Sequence, residues 1–197
     1  MSIGEAVVRA EQKERTRLAL IAEARRLFAE RGYADVGLTE ITAAAGVTKG
    51  ALYHQFDGKA ALFRAVLESV HQEVGGHVAA AAEAEADLWT GFAAGCQAFL
   101  TASTDPTRRR ILLVDGPAVL GWAEWRAFDE AASAFHLEEA VAGLMRAGLL
   151  PERPTAPLTR LLSGAMNEAA LWLASEPSAL DDTRRALTEL LESLRCR

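Results

Sequence analysis

The segment Val47–Lys59, VTKGALYHQFDGK, gathers the densest set of groups able to bond to another molecule. Set on a helix at about 100° per residue, Leu52 and Phe56 fall four positions apart on one buried side. Gly50 and His54 then point most directly away, Ala51 and Tyr53 flank them, and Thr48 and Lys49 stand at the N-terminal end. Small side chains at Gly50 and Ala51 let a backbone approach a groove closely, while Lys49, Tyr53 and His54 supply groups for phosphate or base edges. Helix N-termini add partial positive charge and open N–H groups. Anion sites are therefore expected at Thr48 and Lys49, and again at Gly58 and Lys59, where the lysine adds a full charge. His54 enters this set only through its place on the helix, and a plain surface histidine is the alternative.

Other residue types offer less chemistry. His71, His77 and His136 have no ligand partner at useful spacing, since a six-residue step turns about 120° away on a helix, and they read as solvated. Cys96 and Cys196 lie a hundred residues apart without CxxC spacing, so both read as free thiols, Cys96 as a core residue. No metal site or cofactor is expected. Arg108, Arg109 and Arg110 read as a solvated turn or a source of internal ion pairs, with a second nucleic-acid patch as the alternative. Trp89, Phe92, Trp122, Trp125, Phe128 and Trp172 suit a core at helical spacing, or the wall of an apolar cavity. Asn167 and Glu168 interrupt an apolar helix and face a small molecule, a second subunit or water. The candidates for lining such a cavity are Phe92, Cys96, Trp122, Trp125 and Asn167.

The elements that must position these groups are helical. Alanine, leucine, glutamate and arginine abound, apolar residues recur at three and four, and no strand is expected. A first helix is expected from about Lys13 to Arg31, burying Leu18, Ile21, Ala24 and Phe28 and stopped by Gly32. A short second helix runs from about Leu38 to Ala45 with Gly37 as its N-cap, and Gly46 turns the chain sharply into a third helix capped by Thr48. Asp57 can cap a fourth helix with Leu62, Phe63, Val66, Leu67 and Val70 inward. Val78 to Asp87 reads as a soft joint. Leu88, Phe92, Cys96, Phe99 and Leu100 mark a helix ended at Asp105 and Pro106, and Gly116 with Pro117 punctuates the next segment. A helix carrying Trp122, Trp125, Phe128 and Phe135 should persist to Gly148. Pro151, Pro154 and Pro157 form a loop, and two striped helices close the chain: Leu158 to Leu173 and Leu180 to Leu194.

Composition sets the bounds. A chain of 197 residues, 50% hydrophobic and 24% charged with six prolines, can bury a sizeable core. No apolar run reaches the ~18 residues of a membrane span and the opening lacks a secretory stretch, so a cytoplasmic protein without membrane association is expected. The net charge of -6 argues at first against an anionic partner. The acid is unevenly spread, however: up to Ala60 nine Lys and Arg face eight Asp and Glu, and beyond it twelve face nineteen. Exposed charges more than ~8 Å apart are largely screened at physiological salt, so a local field can still favour DNA.

The run LFAERGYADVGLTEITAAAGVTKGALYHQFDGKAAL resembles the N-terminal DNA-binding segment of the TetR family of bacterial transcriptional regulators, over about Thr16 to Val66. Its markers are Leu27, Phe28, Gly32, Tyr33, Ile41, Ala45, Gly46, Val47, Leu52, Tyr53, Phe56 and Lys59, in order and without gaps. Gly37 stands where a threonine is usual and Thr42 where an alanine is customary. The resemblance implies groove or phosphate contacts by Thr39, Thr48, Lys49, Gly50, Ala51, Tyr53, His54 and Lys59, and admits Gln55. It also implies an all-α chain: a three-helix helix-turn-helix domain, residues 1–59 with a disordered arm over about 1–12, then a larger helical bundle, residues 60–197. That bundle is expected to bind a small-molecule effector and to form a homodimer through its last two helices. The protein would act as a non-enzymatic regulator, a repressor, on a near-palindromic double-stranded operator. The rivals are a helical-bundle enzyme and a protein-only interaction module; no GxSxG, HExxH, P-loop or nucleophile and base pair supports catalysis.

Overall fold

The computed structural model describes residues 3–129 and 135–196, and among them every regular element is a helix. The chain divides into two units, Met1–Ser69 and Val70–Arg197.

In the first unit α1 spans Ile3–Arg31, α2 Leu38–Ala44 and α3 Lys49–Tyr53, and the unit takes the opening turns of α4, Gly58–Glu83. Helix α1 starts some ten residues before the expected Lys13, so the arm anticipated over 1–12 is helical from Ile3. Alanine, glutamate, arginine and lysine there are good helix formers, and Thr16 Oγ1 bonds back to the Gln12 carbonyl at 2.9 Å. Leu18 is 54% exposed, against expectation, while Ile21, Ala24 and Phe28 are buried as expected, together with Leu20 and Leu27. They close on Ile41, Leu52, Phe56, Leu62 and Phe63, and an aromatic cluster sits at the centre. Tyr33 and Phe63 meet edge to face at 5.1 Å, and Phe28 and Phe63 at 5.5 Å.

In the second unit α4 stays helical through Glu83, which shortens the expected joint to a few residues. Asp87 then caps α5, Leu88–Thr104, accepting from the Trp89 and Thr90 N–H groups at 3.0 Å. These bonds, with the Thr90 amide foremost, hold its carboxyl below the usual carboxylate range. Trp89, not Leu88, faces inward. Asp105 ends α5 and caps α6, Pro106–Arg109, after which Arg110–Asp115 is π-helical and α7, Gly116–Leu120, continues the chain. Gly116 thus extends a helical path where a break was expected, and Gly121, at φ 78, makes the turn into α8, Trp122–Asp129. The expected passage from Trp122 to Gly148 as one helix crosses residues 130–134, outside the described residues; α9 is Phe135–Arg146. Helices α10, Thr155–Ser175, and α11, Leu180–Leu194, complete the unit, α10 against α5 and α9, α11 against α5. Polar bonds fix the packing of α11 on α5: Trp89 Nε1 donates to Glu192 Oε1 at 2.7 Å, and Gln97 Nε2 to Thr188 Oγ1 at 2.9 Å.

Candidate nucleic-acid interface and interior cavity

The turn between α2 and α3 is built from local backbone bonds. Gly46, at φ 66, lets its N–H reach the Ala43 carbonyl at 3.2 Å and the Val47 N–H reach Thr42 at 3.0 Å, the paired bonds of a Schellman ending. Thr48, with extended backbone, caps α3 as its Oγ1 accepts from the Ala51 N–H at 3.1 Å. Its own hydroxyl proton stays available to a phosphate oxygen. Leu52 and Phe56 are buried, which turns Lys49, Gly50, Tyr53 and His54 outward; Tyr53 is 61% exposed. Ala51 is half-buried, and Thr39 stands one helix earlier, its carbonyl accepting from the Thr42 hydroxyl at 3.0 Å. That bond satisfies the buried hydroxyl of Thr42, and Gly37 caps α2 by backbone alone.

Two expected contacts serve the unit itself. Gln55 Nε2 donates to the Lys13 carbonyl at 2.8 Å and so ties the end of α3 to α1. Lys59 lies over the Tyr33 ring, its Nζ 4.2 Å from the centroid and 3.5 Å from the Ala34 carbonyl. This holds the ammonium beside the start of α4, near the expected second anion site. Among the described residues, no cluster of His, Cys, Asp and Glu is arranged to hold a metal ion, and no helix is long and apolar enough to cross a membrane.

The second unit contains a partly open cavity of about 280 Å³ among α4, α5, α9 and α10. Phe92, Cys96 and Asn167 of the expected set line it; Trp122 and Trp125 do not. Trp125 is buried elsewhere, its indole N–H donating to the Leu112 carbonyl at 2.7 Å in the π-helical segment, where the regular helix ladder is interrupted. Trp122 lies against Trp125 at 5.1 Å and is 58% exposed. Sequence reasoning missed His71 and His136, which both line the cavity. For His71 the signal was present: it lies one turn beyond Leu67 and one turn before Gly75, on the stripe that Val70 and Val74 continue. Burial pushes the His71 imidazole down to about 4 and the Cys96 thiol up to about 12, so both are neutral at pH 7. Arg108 is an internal ion-pair source: its side chain, 12% exposed, pairs with Glu73 and donates to the Ala102 carbonyl at 2.8 Å.

A family model described as "Tetracyclin repressor-like, C-terminal domain" matches residues 89–194, and one described as "Bacterial regulatory proteins, tetR family" matches residues 20–66. The probable HTH-type transcriptional regulator ArpR of Pseudomonas putida is 44% identical over 78 residues, 40% of this chain and 37% of that protein. The HTH-type transcriptional regulator TtgR, also of Pseudomonas putida, is 42% identical over 78 residues, again 40% of this chain and 37% of that protein. The matched stretch thus spans little more than a third of these curated relatives. A crystal structure of a TetR-family transcriptional regulator from Pectobacterium atrosepticum is 34% identical with a TM-score of 0.84, covering 95% of this chain and 97% of that one. All three are named as transcriptional regulators.

Proposed function

Because the chain belongs to the TetR family of bacterial transcriptional regulators, we propose that it is a ligand-released repressor, acting in the cytoplasm as a homodimer on a near-palindromic operator. The observation that carries this reading is the outward set Lys49, Gly50, Tyr53 and His54, held rigidly by the Gly46 turn and the Thr48 cap. Gly50 brings backbone close to a groove, Lys49 and Thr48 answer phosphates, and Tyr53 and His54 reach phosphate or base edges. Thr39 and Lys59 add phosphate contacts at the flanks. Residues 1–59 carry DNA recognition and residues 60–197 carry ligand and dimer contacts.

Two copies are needed because one short helix reads too few base pairs, and a two-fold pair spaces its readers by about one DNA turn, ~34 Å. The surface offered to the second copy is apolar: Leu161 on α10 is 73% exposed, Trp172 50%, and Leu190 on α11 43%. Ligand in the cavity acts through α4, whose Val74 and Val78 form part of the wall. It shifts the protein toward a state of lower operator affinity only as far as its affinities for the two states differ, typically 5- to 150-fold, ~1–3 kcal/mol.

The test is binding to the intergenic DNA upstream of the gene. Lys49→Ala with Tyr53→Ala should weaken that binding at least about tenfold and reduce the salt slope by about 0.9 for each phosphate partner removed, with the oligomer intact. Unchanged binding by this double variant overturns the recognition-helix assignment.

A further inference from the structure

The cavity of the second unit has a wall chemistry that selects among ligands. Its volume of about 280 Å³ falls just under the ~300–1,000 Å³ of small-molecule sites, which suits a molecule of one or two rings. Val74, Val78, Phe92, Phe99, Leu137 and Met166 make most of the wall apolar. Among the described residues no lysine or arginine lines it, and its ionisable lining residues Glu83, at the end of α4, and His136, at the start of α9, are both exposed. An anion would lose its water in the apolar interior with no lysine or arginine to answer it, and a cation would meet only a carboxylate at the exposed edge that stays hydrated.

The polar positions in the interior are His71, Ser163 and Asn167. Asn167 is buried and donates to Ser163 Oγ at 3.4 Å, so these two answer each other. His71 differs: its Nε2 is shut off from water and has no hydrogen-bond partner. A buried polar atom left in this state costs the fold, and a ligand donor removes that cost. A neutral imidazole keeps one nitrogen as an acceptor, and burial keeps this ring neutral at pH 7.

We propose that this cavity binds an uncharged, mainly apolar molecule of one or two rings that donates a single hydrogen bond, from a hydroxyl or N–H, to the His71 imidazole. The inference rests on the ligand-released reading only for what binding does to DNA, because binding itself is measured on the protein alone.

Isothermal titration of the full chain with naphthol, naphthalene, naphthoate and naphthylmethylammonium tests it. Naphthol should bind about tenfold tighter than naphthalene, the worth of one hydrogen bond to a buried acceptor, and at least about tenfold tighter than either charged analogue. His71→Phe keeps a ring and removes its nitrogens, and should bring naphthol and naphthalene level. Gly75→Leu fills the space instead: Gly75 lines the cavity and a Cβ there meets nothing within 4 Å, so this variant keeps its helix and should weaken both ligands at least about tenfold. If His71→Phe does not fold, the ligand series and Gly75→Leu decide. No naphthol binding at millimolar concentration, equal affinity for naphthalene, a preference for naphthoate, or binding indifferent to Gly75→Leu each overturns the proposal. Naphthol that binds as expected yet leaves operator DNA bound supports the cavity chemistry and counts against the ligand-released reading.

Discussion

His71 shows how much one buried side chain ties to pH. Its imidazole is pushed from 6.5 down to about 4 by burial, whereas in the unfolded chain it protonates near the ordinary value. Between these two values the unfolded state binds more protons, so the stability is full above pH 6.5 and is lost as the pH falls toward 4, by up to ~3 kcal/mol. From pH 7 to pH 5 the urea midpoint should therefore fall further for the natural chain than for His71→Phe. An equal fall in the two proteins would mean that His71 titrates as a solvated histidine, which was the expectation from its sequence surroundings. Cys96 is governed by the same physics with the opposite direction, burial favouring the neutral thiol, and this removes it from any role as a reactive thiolate.

Helix α4 and its neighbour α5 give the same substitution opposite signs. Gly91 packs so closely that an added Cβ would sit 2.8 Å from the Ala82 carbonyl oxygen, and backbone cannot swing aside as a side chain does. Gly91→Ala should force the two helices apart and cost ~1–3 kcal/mol. At Gly76, exposed in the interior of α4, a Cβ meets nothing within 4 Å. Gly76→Ala should stabilise by up to ~1 kcal/mol through helix propensity alone. Thermal or urea unfolding of the two variants checks both, and a loss at Gly76 or a gain at Gly91 would contradict this packing. Neither sign is readable from the sequence, where both are glycines within alanine-rich helices.

At the scale of the whole molecule, an apolar stripe stays open among the described residues. Leu161 and Trp172 lie three turns apart on one face of α10, with Leu190 on α11, and all three are exposed. If a second copy covers them, Leu161→Glu with Trp172→Glu places two charges against an apolar partner surface, whose desolvation is expensive. The double variant should sediment at half the mass of the natural protein at micromolar concentration while keeping its helical circular dichroism. Operator affinity should drop at least about tenfold as the two reading heads lose their fixed spacing. A natural protein that is already monomeric, or a double variant that stays dimeric, would overturn the assignment of this face. The acidic excess beyond Ala60 does not oppose the proposed DNA contacts, because Thr39 to Lys59 lie in the part of the chain whose charges nearly balance.

The sequence by itself determined the turn around Gly46, the Thr48 cap, the burial of Leu52 and Phe56 and the outward set beginning at Lys49. All of these depend on bonds and spacings within about a dozen residues, where hydrogen-bond geometry and a 3.6-residue period leave few choices. Tertiary structure decided the rest. Helix α1 buries Leu20 rather than Leu18, and α5 buries Trp89 rather than Leu88. Gln55 spends its amide on Lys13, and His71 lines a cavity from which Trp122 and Trp125 are absent. In each case the residue types on a helix allow more than one inward face, and the choice falls to partners far away in the chain. Only their packing density and polar matching separate the alternatives.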